Sequence, residues 1–304
     1  MPPEICVFQK LPKTADDLIA LLEKRNLIIA DKDSTRHYLE HIGYYRLSAY
    51  MKPLQEPDNP DHPFIEGTTF EQLIYFYDFD RSLRLLTMNA LEKIEVSFKS
   101  VISNTLSLKE GATWYSSPEN FRDAGSHKKV LREILEVIEF GLPAGQIKNQ
   151  SIEHYYRKYD YPFYPPSWMV FETLSFGTIS ILFMNLKESH KNEISYNYGF
   201  HAPVIQSWLQ SLSYTRNLCA HHARLWNRIF TIKPKQPAKK LIGELGTNER
   251  FYAQAVMMQA LMLKISPKTK WAKRLSDLLD QYDKIDPAQM GFAPDWKQKD
   301  IWSV

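Results

Sequence analysis

From Thr68 to about Leu108 apolar residues return at the three- and four-residue steps of a helix, among them Leu73, Phe76, Tyr77, Leu83, Leu86 and Leu91. A strand would alternate every second residue, so this stretch is helical, with Asp78 to Asp80 as the one place where a break is admissible. Shorter periodic segments follow on both sides, divided by Pro, Gly or Asn. The longest divider runs from Pro53 to Pro63, where four prolines forbid a continuing helix. Only 11 glycines punctuate 304 residues, and 44% of the chain is hydrophobic. That is enough to bury a full core. The expected fold is all-α, a multi-helix bundle with additional N- and C-terminal helices. Residues 1–60 form an N-terminal helical segment, 61–235 the core and 236–304 a C-terminal helical segment, together one compact unit.

Local signals place the helices. Thr14, with Asp16 and Asp17 behind it, starts a helix that ends near Asn26, and Asp33 or Ser34 caps the next. Gly43 interrupts that helix before Tyr44, Tyr45, Arg46 and Tyr50, whose tyrosines belong to a packing face. Thr68 to Glu71 reads as a capping box. His127 to Phe140 is amphipathic, with Val130, Ile134, Val137 and Ile138 inward. Further helices are expected over 151–160, around 182–188 and over 203–229. Two amphipathic ones, 248–265 and 270–284, complete the set, and Trp296 and Trp302 dock the tail.

Charge is unevenly spread. The net is +3, from 38 basic and 35 acidic residues, yet Ile194 to Gly243 contains no Asp or Glu and seven cations: Arg216, Arg224, Arg228, Lys233, Lys235, Lys239 and Lys240. Elsewhere 31 basic residues face 35 acidic ones, a net −4. A local cationic region of this kind is the footprint of phosphate binding. Cys6 and Cys219 lie far apart without ligand spacing, so neither a disulfide framework nor a zinc site is expected, and a reducing cytoplasm fits. The opening Met1-Pro2-Pro3-Glu4 has no leader pattern. No apolar run reaches the roughly 18 residues of a membrane span. A soluble cytoplasmic protein without a cofactor or metal is expected.

The cationic region contains Ser213-Tyr214-Thr215-Arg216-Asn217-Leu218-Cys219-Ala220-His221-His222-Ala223-Arg224-Leu225-Trp226-Asn227-Arg228. On a continuous helix, about 100° per residue puts Ile205, Trp208, Leu212, Cys219, Ala223 and Trp226 on a buried stripe. Ser213, Asn217, His221, Arg224 and Arg228 gather on one polar face. Arg216 falls inside the apolar stripe and must be paired or point at a partner. Glu92 and Glu95, three residues apart on one face, are its expected counter-charge. An imidazole beside guanidiniums suits cleavage of RNA by its own 2′-hydroxyl. His moves protons near neutral pH, while Arg holds the phosphate and stabilises charge on its oxygens. Arg228, Lys233, Lys235 and Arg46 are further candidates for RNA contact. The same residues also allow a non-catalytic RNA-binding or regulatory protein, in which the basic face holds a structured RNA.

Arg216-Asn217, three residues, then His221 resembles the signature of HEPN-fold ribonucleases. The longer string from Arg216 to Asn227 resembles the abortive-infection Abi-like family of the AbiD and AbiF type. Ile42 to Leu47, Leu91 to Glu95, and Ser167 to Ser180 with Trp168, Glu172 and the Ser175-Phe176-Gly177 step are similar to other segments of that family. The resemblance implies a HEPN-like helical core and a metal-independent endoribonuclease acting in phage defence or as a toxin. His221 would be the proton-transfer group, Arg216 the phosphate binder and Asn217 an orienting residue, with His222 and Arg224 in second rank. It also implies a homodimer with a composite site, an RNA substrate, and in some related systems a structured noncoding RNA as antitoxin. Glu172 would buttress the active helix, and Ser175 would cap the helix that follows.

Overall fold

The computed structural model describes residues 11–238 and 241–303. Among them are twelve α-helices and no strand, only isolated bridges such as Phe121 with Leu186. The chain is all-α, as its periodicity requires. It divides into two compact units, one ending at Ser82 and one starting at Leu83.

The first unit carries α1 (Ala15–Lys24), α2 (Lys32–His41), α3 (Tyr44–Met51) and the start of α4 (Phe70–Glu110). Thr14 caps α1 with a reciprocal box, its hydroxyl accepting from the Asp17 amide at 3.1 Å while Asp17 accepts from the Thr14 amide at 3.0 Å. The cap of α2 is Asp31, not Asp33 or Ser34, whose amides instead donate to the Asp31 carboxylate. Gly43, at φ +89°, makes the break before α3. The tyrosines there do not share one packing face: Tyr50 is buried and donates to Asp80 at 2.6 Å, whereas Tyr45 is 92% exposed. That bond also explains why α4 runs unbroken for 41 residues, since the buried Asp80 is satisfied by a partner hydroxyl instead of turning on its own backbone. Thr69, one residue later than the sequence suggests, accepts from the Gln72 amide at the start of α4.

The second unit holds the rest of α4 with α5 (Ala124–Val137), α6 (Gln150–Lys158), α7 (Ser167–Thr173), α8 (Phe176–Asn185), α9 (Glu188–Tyr196), α10 (Ala202–Ala220), α11 (Phe251–Ile265) and α12 (Trp271–Gln281). Helix α5 buries Val130 and Ile134, and Ile138 just past its end is buried too, but Val137 is left 39% exposed, against expectation. The segment around 182–188 splits into α8 and α9. Ser175 caps α8 as expected, accepting from the Thr178 amide. Helix α11 is not amphipathic: every residue from Phe251 to Met262 is buried, as in a helix covered on all sides. Its Gln254 accepts from the Ser211 and Thr215 hydroxyls of α10 at 3.0 Å each. The tail docks as its tryptophans suggested, Trp302 donating to the Tyr252 hydroxyl at 3.3 Å and Trp296 lying edge-on to Trp302. Trp271 ties α12 to the Leu86 carbonyl of α4.

Helix directions matter for the site. The Arg122 amide meets the Asn185 carbonyl, and Thr178 donates to Glu133 at 2.7 Å, so α5 and α8 run antiparallel. Gly177 abuts the Ser213 hydroxyl, and Lys191, just past α8, bonds Gln206, so α8 and α10 are antiparallel too. Helices α5 and α10 therefore point their C-termini toward the same end of this unit.

One buried cluster gives a pH prediction. His190 is fully buried, its Nε2 3.1 Å from Asn120 and 3.5 Å from Glu110. Burial, then the charge of Lys187, holds its pKa below the ordinary 6.5, and Glu110 opposes them only in part. The unfolded chain therefore binds this proton more readily, and the His190 contribution is complete above about pH 6.5 and lost as pH falls below it. Denaturant titrations between about pH 5 and 7 should show wild type losing stability toward acid more steeply than His190→Gln. Equal slopes would contradict the assignment.

Candidate active site

Helix α10 begins with Pro203 in its first turn, where a missing amide costs nothing. It buries Ile205, Trp208, Leu209, Leu212 and Cys219. The helix does not continue to residue 229. It stops at Ala220 in a Schellman motif, with the Ala223 amide donating to the Leu218 carbonyl at 2.8 Å and the His222 amide to Cys219 at 3.0 Å. His222 takes the left-handed position, φ +56°, that glycine normally fills.

This early stop rearranges the expected polar face. Asn217 and His221 remain together, one turn apart and exposed, the His221 amide bonding the Asn217 carbonyl at 3.0 Å. Ser213 leaves the group, being buried against Gly177. Arg224 and Arg228 lie beyond the turn, so their place on the helical wheel is void. Arg224 lies over the buried Trp226 ring at 5.9 Å. Arg228 donates to the Arg224 carbonyl at 3.2 Å and reaches back to the Tyr214 hydroxyl at 3.4 Å. Burial alone would raise the Tyr214 pKa, but the bonds from Arg228 and Thr231 outweigh it and hold the phenol below its ordinary 10.0. Tyr214 precedes His221 by two helical turns on one face and is the site neighbour that sequence reasoning passed over; the seven-residue spacing was its only signal.

Arg216 is half-buried and paired. Its Nε lies 3.6 Å from Glu95 of α4, and Glu95 also holds Lys99 at 3.0 Å. At that distance the Arg216 contact is an ion pair, not a hydrogen bond. Of the two candidate counter-charges Glu95 serves, while Glu92 is exposed. Glu172 is exposed on α7 and does not buttress α10. The five-residue step from Arg216 to His221 turns the two side chains about 140° apart around α10. One copy of the helix therefore does not aim both at a single atom.

The cationic loop after α10 is pinned. The Lys235 amide donates to Ser207 at 2.8 Å, its carbonyl accepts from Trp208 at 3.1 Å, and Asn248 bonds the Pro234 carbonyl. Lys235 extends into solvent, while Lys233 is paired with Glu249. Lys239 and Lys240 lie outside the described residues. Arg46 belongs to the first unit, where it is exposed on α3. Among the described residues no group of three His, Cys, Asp or Glu is placed to hold a metal ion, and no helix is long and apolar enough to cross a membrane.

The strained His222 gives a local prediction. Relief of a left-handed non-glycine residue outweighs the backbone entropy that glycine adds, so His222→Gly should stabilise the fold by about 0.5–1 kcal/mol. Thermal unfolding reads it, and a lower Tm would contradict the cap's role.

Fold and site together define an all-α protein in which one buried helix ends in an exposed Asn-His pair beside a braced arginine. Over residues 37–227, well over half of its length, the chain matches the model of the Abi-like protein family, and it belongs to that family. Membership points to a function of the abortive-infection type. No curated protein and no solved structure gives a significant match.

Proposed function

We propose that the protein is a metal-independent endoribonuclease of the HEPN type, related to AbiD and AbiF, that acts in abortive infection. The observation that carries this is the exposed end of α10, where Asn217 and His221 face solvent together in an acid-free cationic segment. His221 moves the proton of the 2′-hydroxyl or of the leaving 5′-oxygen. Arg216, braced by Glu95, binds the phosphate and offsets the charge that develops on its oxygens. Asn217 orients the imidazole or bonds the phosphate. Tyr214 and Arg228 flank this site, and Lys235 offers a further cation along the strand.

Transphosphorylation benefits from an acid and a base, and one helix supplies His221 alone in this position. The angle between Arg216 and His221 adds a second reason for a two-fold homodimer, in which a second copy presents its own helix end to the same linkage. Expression in a bacterial host tests the reading. Wild type is expected to stop growth and degrade RNA, whereas His221→Ala at equal abundance does neither. If the purified protein binds RNA without cutting it, the protein is instead a passive RNA holder.

A further inference from the structure

The exposed side of α2 carries two histidines that the cleavage chemistry does not use. His37 and His41 stand four residues apart, the spacing that sets side chains one above the other on a helix. Both are exposed, and their ring centroids lie 4.3 Å apart with the planes inclined by 55°. Among the described residues neither ring engages a hydrogen bond or a carboxylate, which leaves their nitrogens open to a ligand. Glu40 is exposed three residues beyond His37, on the same side of the helix. His41 is the last residue of α2, at the negative end of the helix dipole. Little else holds that end. Thr35 and Leu39 are the buried residues of α2, and the Asp31 cap and the ion pairs of Arg36 with Asp16 and Asp33 act on its first half.

We propose that His37 and His41 together chelate a divalent first-row transition-metal ion of the zinc class, which clamps the last turn of α2. Imidazole nitrogen is a favoured ligand of Zn²⁺ and Cu²⁺. Two rings bound to one ion at about 2.0–2.1 Å bring their centroids to roughly 5 Å. The observed 4.3 Å therefore needs only a small torsional adjustment. The negative helix end and the Glu40 carboxylate both favour a cation beside the pair. No third His, Cys, Asp or Glu is placed with them among the described residues, so the remaining coordination positions fall to water. Catalytic zinc sites rest on three protein ligands, and two make this a clip for the helix, not a reaction centre. His37 and His41 belong to the first unit, whereas Arg216, Asn217 and His221 belong to the second, and the site stands or falls independently of the nuclease reading.

Calorimetric titration of the full chain with Cu²⁺ alone, and separately with Zn²⁺ alone, tests the site. Cu²⁺ should bind more tightly than Zn²⁺, the usual order at imidazole ligands. His37→Gln and His41→Gln should each weaken Cu²⁺ binding at this site about 10²-fold, because the second imidazole no longer acts at high effective concentration. His154→Gln, at an exposed histidine with none four residues away, should change nothing. The Cu²⁺ electron paramagnetic resonance spectrum of the parent should show coupling to two nitrogens that either variant loses. Saturating Zn²⁺ should raise Tm in the parent and raise it less in both variants. If the parent and both variants take up Cu²⁺ with the same affinity and stoichiometry, the proposal is overturned. A parent that binds neither ion below about 1 mM, an affinity too weak for chelation by two rings, overturns it equally.

Discussion

His221→Ala is expected to lower the single-turnover rate of RNA cleavage by about 10²–10⁴-fold, the usual contribution of one positioned proton-transfer group. The fold should not notice. His221 is exposed, ends α10 through its backbone alone, and belongs to the class of surface positions whose substitution changes stability by less than about 0.5 kcal/mol. Circular dichroism and Tm should match wild type while the rate collapses. A parallel loss of helix content would make the result uninformative about chemistry, so His221→Gln, which keeps size and polarity, belongs in the same series and should be equally inactive.

Arg216→Ala is expected to cost on the order of 10²–10³ in rate, the scale found when one donor to a developing oxyanion is removed. It also strands Glu95, which keeps Lys99 at 3.0 Å as its remaining partner, so destabilisation should stay modest. Arg216→Lys should not restore activity, because an ammonium lacks the planar fork that meets a phosphate at two points. Glu95→Gln separates positioning from chemistry: Arg216 keeps its charge but loses its brace, and the expected signature is a larger rise in KM than fall in kcat. If Arg216→Ala cleaves like wild type, the guanidinium has no part in the reaction and serves packing against α4 only.

The class of fold was legible because long helices write their period plainly, and the run from Thr68 to Leu108 proved to be one unbroken α4. Glu95 as the partner of Arg216 was legible for a similar reason, since a cation on an apolar stripe demands an anion from a packed neighbour. What stayed hidden was the end of α10. A histidine in the left-handed position carries no local stop signal of the kind that Gly43 gives, so the periodic pattern runs on past it to Arg228. Arg224 and Arg228 were misplaced as a result, and the Tyr214–Arg228 bond went unforeseen. Burial on all sides of α11 was equally invisible, because its neighbours are distant in sequence, among them Ser211 and Thr215 of α10 and Trp302 of the tail.

End-group analysis of RNA incubated with wild type and with His221→Ala in EDTA tests the central claim most directly. Cleavage by wild type alone, leaving 2′,3′-cyclic phosphate and 5′-hydroxyl ends, is the predicted result. Cleavage that appears only with added magnesium and leaves 5′-phosphates, or that persists in His221→Ala, would contradict it.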